Sequence, residues 1–301
     1  LIPASLLKVV LPGEVYPFCL GEKHSGGGFA AASRGNTEYK KTWEAGVVFD
    51  AHIHLEQYDN LDERIKRWRE AGVKQVTAVS NDLASSYRTL EIKERYPDVV
   101  RAGCGFHPEQ PLPETSEWEE WKCLVKLERE HIACIGEIGL PHYELDYLPS
   151  PLEAYEEFLA ECLLVARELK LPAALHAVHD KAELAFDILR REAPAVPAHF
   201  HWLKAPEDVV ARITKAGYMV SVTPEVCYRE RDQRLAAAVP PDRLLVETDG
   251  PWPFQGPFAG METTPELLHD VIATLAGITG EKEADLAART QKNAERMYGG
   301  M

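Results

Sequence analysis

Basic residues are the scarce class in this chain. It carries 33 Lys and Arg against 48 Asp and Glu, a formal net charge of −15 with a pI near 5.2. Sequence-independent grip on nucleic acid comes from Lys and Arg neutralising phosphates, so the bulk charge argues against a broad basic binding face. A local basic patch, or a metal ion supplying positive charge inside a site, stays compatible with it. Cysteine pairs of metal or redox spacing are absent too. None of Cys19, Cys104, Cys123, Cys134, Cys162 and Cys227 forms a Cys-x-x-Cys, and Cys104 and Cys134 sit in apolar runs as small buried hydrophobes. Reduced thiols in a cytoplasmic protein are the expectation. No apolar run has the length of a membrane span, so no membrane contact is expected. Leu1 to Leu11 is apolar, but Pro3 and Lys8 interrupt it and no basic region precedes it, which makes a poor signal peptide. No obligate protein partner is evident.

Periodicity is missing from residues 1–46, which contain Gly26-Gly27-Gly28 and Ala30-Ala31-Ala32-Ser33. They are expected to form an N-terminal extension with a flexible middle, leaving residues 47–301 as the folded domain. From Val47 onward short β-branched or apolar runs alternate with longer amphipathic segments. The pattern predicts strands at 47–50, 74–79, 99–105, 132–137, 172–176, 197–201, 218–223 and 244–248. Helices are predicted at 61–71, 84–95, 116–130, 151–170, 180–191, 206–215 and 229–238, with two more at 265–277 and 281–297. The helix 151–170 is the clearest: Tyr155, Phe158, Leu159, Cys162, Leu163 and Ala166 recur at helical spacing, and Pro151 suits a first turn. Eight strands alternating with helices at this length point to an α/β fold, a closed TIM (β/α)8 barrel.

Metal-binding side chains cluster at the ends of these runs. His52 and His54 follow the first, His107 the third, Glu137 ends the fourth, His176 the fifth, His201 the sixth and Asp249 the eighth. In a barrel all those ends meet at one mouth, where catalytic side chains of this fold sit. The i, i+2 spacing of His52 and His54 puts two imidazoles on one face of a strand, with Asp50 placed to orient a ligand from behind. Glu137, inside Ile135-Gly136-Glu137-Ile138-Gly139, needs a partner because burying an uncompensated carboxylate is costly; an Arg, a Lys or a bridged cation would each serve. His199 and His201 share a face, and His201 lies nearer the mouth. Asp249 fits either a turn before Gly250-Pro251 or a base that takes a proton from a metal-activated water.

Taken in order, Asp50-Ala51-His52-Ile53-His54-Leu55, Gly105-Phe106-His107-Pro108, Gly136-Glu137-Ile138-Gly139-Leu140, Leu175-His176, Phe200-His201-Trp202 and Glu247-Thr248-Asp249-Gly250-Pro251-Trp252 resemble the TatD-related metal-dependent hydrolases of the amidohydrolase superfamily, over about residues 47–298. The resemblance implies a barrel holding two divalent metal ions (Mg²⁺, Mn²⁺ or Zn²⁺). His52, His54, Glu137 and Asp249 would hold one, and Glu137 would bridge to a second on His176 and His201. It further implies catalytic roles for Glu137, for Asp249 as activator of the attacking water and for His107 beside the scissile phosphate. DNA or a small phosphoester is the implied substrate, with 3'–5' removal of nucleotides from DNA ends. Three places depart from the family pattern. Val178 stands where a basic residue is common, Trp202-Leu203-Lys204-Ala205 differs from the usual text after the sixth-strand His, and residues 223–232 lack a Phe-Lys signature. Lys204, Arg229 and Arg231 are candidate replacements for anion contacts. The Trp252, Phe254 and Phe258 loop fits either base stacking or rim packing. Two other readings remain open: a metal-dependent hydrolase of a small amide, lactone or ester, and a non-catalytic barrel that binds partners.

Overall fold

The computed structural model describes residues 46–299; the expected extension, apart from its last residue, lies outside them. Eight strands are present: β1 Val48–Ile53, β2 Val73–Ala78, β3 Val100–Cys104, β4 Ile132–Gly139, β5 Ala173–His176, β6 Ala198–His201, β7 Met219–Val222 and β8 Leu244–Val246. All neighbours pair in parallel, in the order β1 to β8. Helices α1 Leu61–Glu70, α2 Leu83–Arg95, α3 Thr115–Leu127, α4 Leu152–Leu169, α5 Lys181–Glu192, α6 Glu207–Lys215 and α7 Glu230–Ala238 follow the first seven strands in turn, and α8 Leu268–Thr279 and α9 Glu283–Tyr298 complete the chain. This is the expected (β/α)8 barrel. None of the described helices is long and apolar enough to cross a membrane.

Local sequence accounts for the elements. In α4 the residues at helical spacing, Tyr155, Leu159, Cys162, Leu163 and Ala166, are buried against the sheet; each large apolar side chain so buried contributes roughly 1.5–3 kcal/mol. Helix α2 begins at Asp82, whose side chain accepts from the Ser85 N–H at 2.7 Å and closes a capping box. Inside the barrel, Phe49 and Ala51 of β1, Val79 just after β2, Cys134 of β4, Ala174 of β5, Met219 of β7 and Leu245 of β8 pack with Ala294 and Tyr298 of α9.

Two strands run further than their apolar runs suggest. β1 was expected to stop at residue 50 and β4 at residue 137, but they continue to Ile53 and Gly139. Polar residues inside a strand read as its end when they are in fact its inward-facing members at the mouth. β8, conversely, stops at Val246, so Glu247 and Asp249 lie beyond it. Asp249 has a left-handed φ of 49°, which breaks the alternation expected of an extended segment.

The barrel closes between β1 and the segment after β8. Ile53 and Gly250 form a single parallel bridge, the Asp249 N–H donates to His52 O at 2.9 Å and the His54 N–H to Gly250 O at 2.8 Å. Asp50, fully buried, fastens the same seam: it accepts from the Thr248 N–H at 3.0 Å and the Thr248 hydroxyl at 2.5 Å. Its carboxylate therefore holds the chain ends together and touches neither ring of His52 or His54. Burial, opposed by the Thr248 hydrogen bonds, pushes its pKa up to about 8. Asp50→Asn keeps an acceptor for the Thr248 N–H and should unfold close to the parent. Asp50→Ala strands three buried donors, the Thr248 N–H and hydroxyl and the His52 N–H at 3.3 Å, and should lose roughly 1–3 kcal/mol; denaturant unfolding of both variants measures the difference.

Candidate metal centre

Glu137 is fully buried at the end of β4, and its two oxygens face different partners. Oε2 lies 3.2 Å from His52 Nε2 and 3.3 Å from His54 Nε2. Oε1 lies 2.7 Å from His201 Nε2 and 2.9 Å from His176 Nδ1, whose two nitrogens are 3.2 Å apart. Asp249 Oδ1 joins the first group, 3.5 Å from both His52 Nε2 and His54 Nε2. The two groups abut through the stacked rings of His52 and His201, with centroids 3.9 Å apart. The six residues expected as metal ligands are therefore brought together, four histidines around the Glu137 carboxylate and Asp249 against two of them. Neither Lys nor Arg pairs with Glu137 among the described residues, which removes that alternative for its partner.

Electrostatics follow from this packing. Burial alone would raise the Glu137 pKa, but His201, His107, His52 and the His176 hydrogen bond outweigh it and hold the carboxyl well below its usual range. Burial likewise opposes charge on His54, yet the facing carboxylates of Asp249 and Glu137 raise its pKa well above the usual histidine value. His201 is raised in the same way by Glu137 and Glu247. In the protein alone, protons on imidazoles supply the positive charge that the carboxylates demand.

The donor set fits divalent cations on three counts. Imidazole nitrogens and carboxylate oxygens suit Zn²⁺, Mn²⁺ or, with more oxygen, Mg²⁺. The separations of 2.7–3.5 Å between facing donor atoms bracket those between ligands on one ion, about 3.0–3.4 Å for bonds of about 2.1 Å, so small side-chain shifts would admit a cation. Asp249 Oδ1 is moreover buried without a hydrogen-bond partner, an acceptor aimed between two imidazoles.

His107 sits beside the second group, its Nε2 3.7 Å from Glu137 Oε1. Burial, partly opposed by Glu137, lowers its pKa to about 4, so it is neutral near pH 7. Its Nδ1 accepts from the Glu109 N–H at 3.2 Å, which leaves the proton on Nε2, facing the site. His199 lies deeper, as its position predicted: Nδ1 is 2.6 Å from the Tyr298 hydroxyl and Nε2 2.7 Å from Ser221 Oγ. Burial, with His52 and His201 nearby, holds its pKa well below the usual value.

Two carboxylates steady the second group from behind. Glu247 Oε1 is 3.3 Å from His201 Nδ1 and accepts from the Trp202 N–H at 2.7 Å. Glu109, which the sequence reading passed over, is 3.2 Å from His176 Nε2. Its oxygens also accept from the backbone N–H groups of His142 at 2.8 Å, Tyr143 at 3.1 Å and Glu144 at 2.8 Å. Burial would raise its pKa; the His176 contact and those amides bring it down to about 2. With a cation in place, a hydrogen bond from His176 Nε2–H to Glu109 would free the Nδ1 lone pair, now hydrogen-bonded toward Glu137, to bind it. Only its place directly after His107-Pro108 could have suggested Glu109.

Backbone detail serves the same geometry. Gly139 bears on the close approach of β4 to β5, since a Cβ there would overlap the carbonyl oxygen of His176. His179, Trp202 and Asp249, which follow β5, β6 and β8, all adopt left-handed φ values of 55°, 37° and 49°. Such conformations cost about 1–3 kcal/mol each and concentrate at functional sites. Of the candidate anion contacts, Arg229 pairs with Glu225 at 2.6 Å and Arg231 with Glu225 at 2.8 Å and Asp232 at 2.9 Å. Phe254 and Phe258 are buried with Leu267 as rim packing, while Trp252 is exposed.

The barrel and its mouth define the class, a metal-dependent hydrolase, and comparison with known proteins agrees. Residues 49–299 match the family model described as TatD related DNase. A protein of Haemophilus influenzae named as an uncharacterized metal-dependent hydrolase is 34% identical over 218 residues, 70% of this chain and 83% of its own. One from Erwinia tasmaniensis, named 3'-5' ssDNA/RNA exonuclease TatD, is 29% identical over 265 residues, 83% of this chain and 99% of its own. Among solved structures, the TatD homologue YJJV of Escherichia coli K12 shares the fold with a TM-score of 0.76 at 22% identity, over 84% of this chain and 98% of that one. The chain belongs to the TatD-related DNase family of metal-dependent hydrolases.

Replacing Glu109 by Ala removes the acceptor of three loop amides. Hydrogen exchange at His142, Tyr143 and Glu144 should then accelerate about tenfold or more, with amides of the barrel strands unaffected. Unchanged exchange at those three amides would show that Glu109 does not hold the loop.

Proposed function

We propose that this protein is a phosphodiesterase acting on DNA, a 3'–5' exonuclease that uses two divalent cations. The observation that carries the proposal is the division of Glu137, with one oxygen toward His52, His54 and Asp249 and the other toward His176 and His201. Nuclease chemistry is supported by the family and by the relative named as an exonuclease. Residues 47–301 form the catalytic domain in this proposal, and residues 1–46 an extension outside it. The cytoplasmic setting expected from the thiols belongs to the same proposal.

His52, His54, Glu137 and Asp249 would hold one ion, and Glu137, His176 and His201 the other. When bound, such ions stabilise charge on a phosphoryl oxygen and acidify the attacking water. Asp249 is ionised: burial raises its pKa, but His54, His52 and His201 together lower it below the usual aspartate value. It can therefore take the proton of the water as the water oxygen bonds to phosphorus. His107 donates its Nε2–H to a phosphate oxygen as negative charge builds there. The bond from phosphorus to the 3′ oxygen breaks, the leaving oxygen takes a proton from solvent water, and Asp249 returns the proton it took to solvent. Glu109 and Glu247 keep His176 and His201 oriented throughout.

Purified protein should hydrolyse single-stranded DNA with Mg²⁺ or Mn²⁺ and stop when a chelator is added. Glu137→Gln and Asp249→Asn, both still folded, should be slower by more than ~100-fold. Parent-like rates in both variants, or activity indifferent to chelator, would refute the assignment. Turnover of amides, lactones or simple esters in place of DNA would keep the metal centre and change the substrate class.

A further inference from the structure

The rim above His176 and His201 carries a cation of unusual setting. Lys204 is half-buried, and its Nζ lies 4.0 Å from the centroid of the Trp202 ring and 5.6 Å from that of Tyr143. It donates to the Tyr143 hydroxyl at 3.1 Å. No carboxylate lies within 4.0 Å of its ammonium among the described residues, whereas Arg229 and Arg231 are both spent on Glu225. Rings stabilise a cation there, and Glu225, Asp232 and Asp249 act on it only from beyond contact distance.

Large aromatic surfaces lie exposed beside it. Tyr143 is 50% exposed and Trp252 is 54% exposed, and Trp252 stands 6.1 Å from Trp202. The placement is tied to the metal centre. Tyr143 hangs by its N–H from Glu109, which meets His176, and Trp202 by its N–H from Glu247, which meets His201. Whatever Lys204 binds is thus held in register with the second half of the centre.

An unpaired ammonium flanked by exposed rings matches a nucleotide: phosphate for the charge, base for a ring. We propose that Lys204, Tyr143 and Trp252 form a subsite for the nucleotide next to the scissile phosphate, and that this subsite selects single-stranded nucleic acid over small phosphodiesters. Duplex bases are stacked inward and offer no face to Tyr143 or Trp252. The inference rests on the phosphodiesterase reading above for its substrate class.

Lys204→Met, Lys204→Arg and Trp252→Ala test it with two substrates, a thymidine decanucleotide and methyl p-nitrophenyl phosphate. The preference for the oligonucleotide, as a ratio of kcat/KM values, should fall about tenfold in Lys204→Met and in Trp252→Ala, through a higher KM. Lys204→Arg should restore most of it, and metal content should stay at the parent's level in all three. A preference within twofold of the parent in both Lys204→Met and Trp252→Ala overturns the subsite while leaving the phosphodiesterase reading intact. Should the parent cleave neither substrate, that reading falls, and fluorescence anisotropy with the labelled decanucleotide decides the subsite alone. Binding by the parent that Lys204→Met loses supports it; absent or unchanged binding overturns it.

Discussion

A buried carboxylate without a basic side chain to pair with it governs this molecule. Glu137 is sealed in the barrel mouth among His52, His54, His107, His176 and His201, and among the described residues no Lys or Arg pairs with it. Leaving a charge in such surroundings costs several kcal/mol unless it is neutralised or paired. Imidazoles answer that demand only by carrying protons against the cost of burial, which the facing carboxylates must outweigh at His54 and His201. Divalent cations answer it well, and the facing donors stand within a few tenths of an ångström of the separations that ligands of one ion adopt.

The scaffold is arranged to keep those donors in place. Closure of the barrel and assembly of the first group are a single event, since the hydrogen bonds that join β1 to the segment after β8 run through His52, His54 and Asp249 themselves. Asp50 locks the same seam through Thr248. The second group depends on carboxylates behind it: Glu109 reaches from the loop after β3 to His176, and Glu247 from beyond β8 to His201. Each also accepts backbone N–H groups of residues at the rim. The rim loops are thereby fixed to the same carboxylates that meet His176 and His201.

Much of this was legible in the sequence because a parallel barrel writes itself plainly. Strands buried on both faces appear as short apolar runs, and a histidine or acid ending such a run has few places to go except the mouth. That logic found His52, His54, Glu137, His176, His201 and Asp249, and it put His199 deeper than His201. It failed where polarity and backbone geometry mislead. The inward polar residues of β1 and β4 looked like strand ends, and the left-handed φ of Asp249 has no signature in Glu247-Thr248-Asp249. Glu109 stands in a proline-rich loop with no period, and its partners are backbone amides more than thirty residues away. Likewise the fates of Arg229, Arg231 and Lys204 depend on Glu225, Tyr143 and Trp202, contacts that spacing along the chain does not encode.

Anomalous diffraction from crystals grown with Mn²⁺ tests the central claim directly. Two peaks about 3.5–4 Å apart, one beside each oxygen of Glu137, are the predicted result. A single peak, or density that avoids either the His52 and His54 side or the His176 and His201 side, would contradict it.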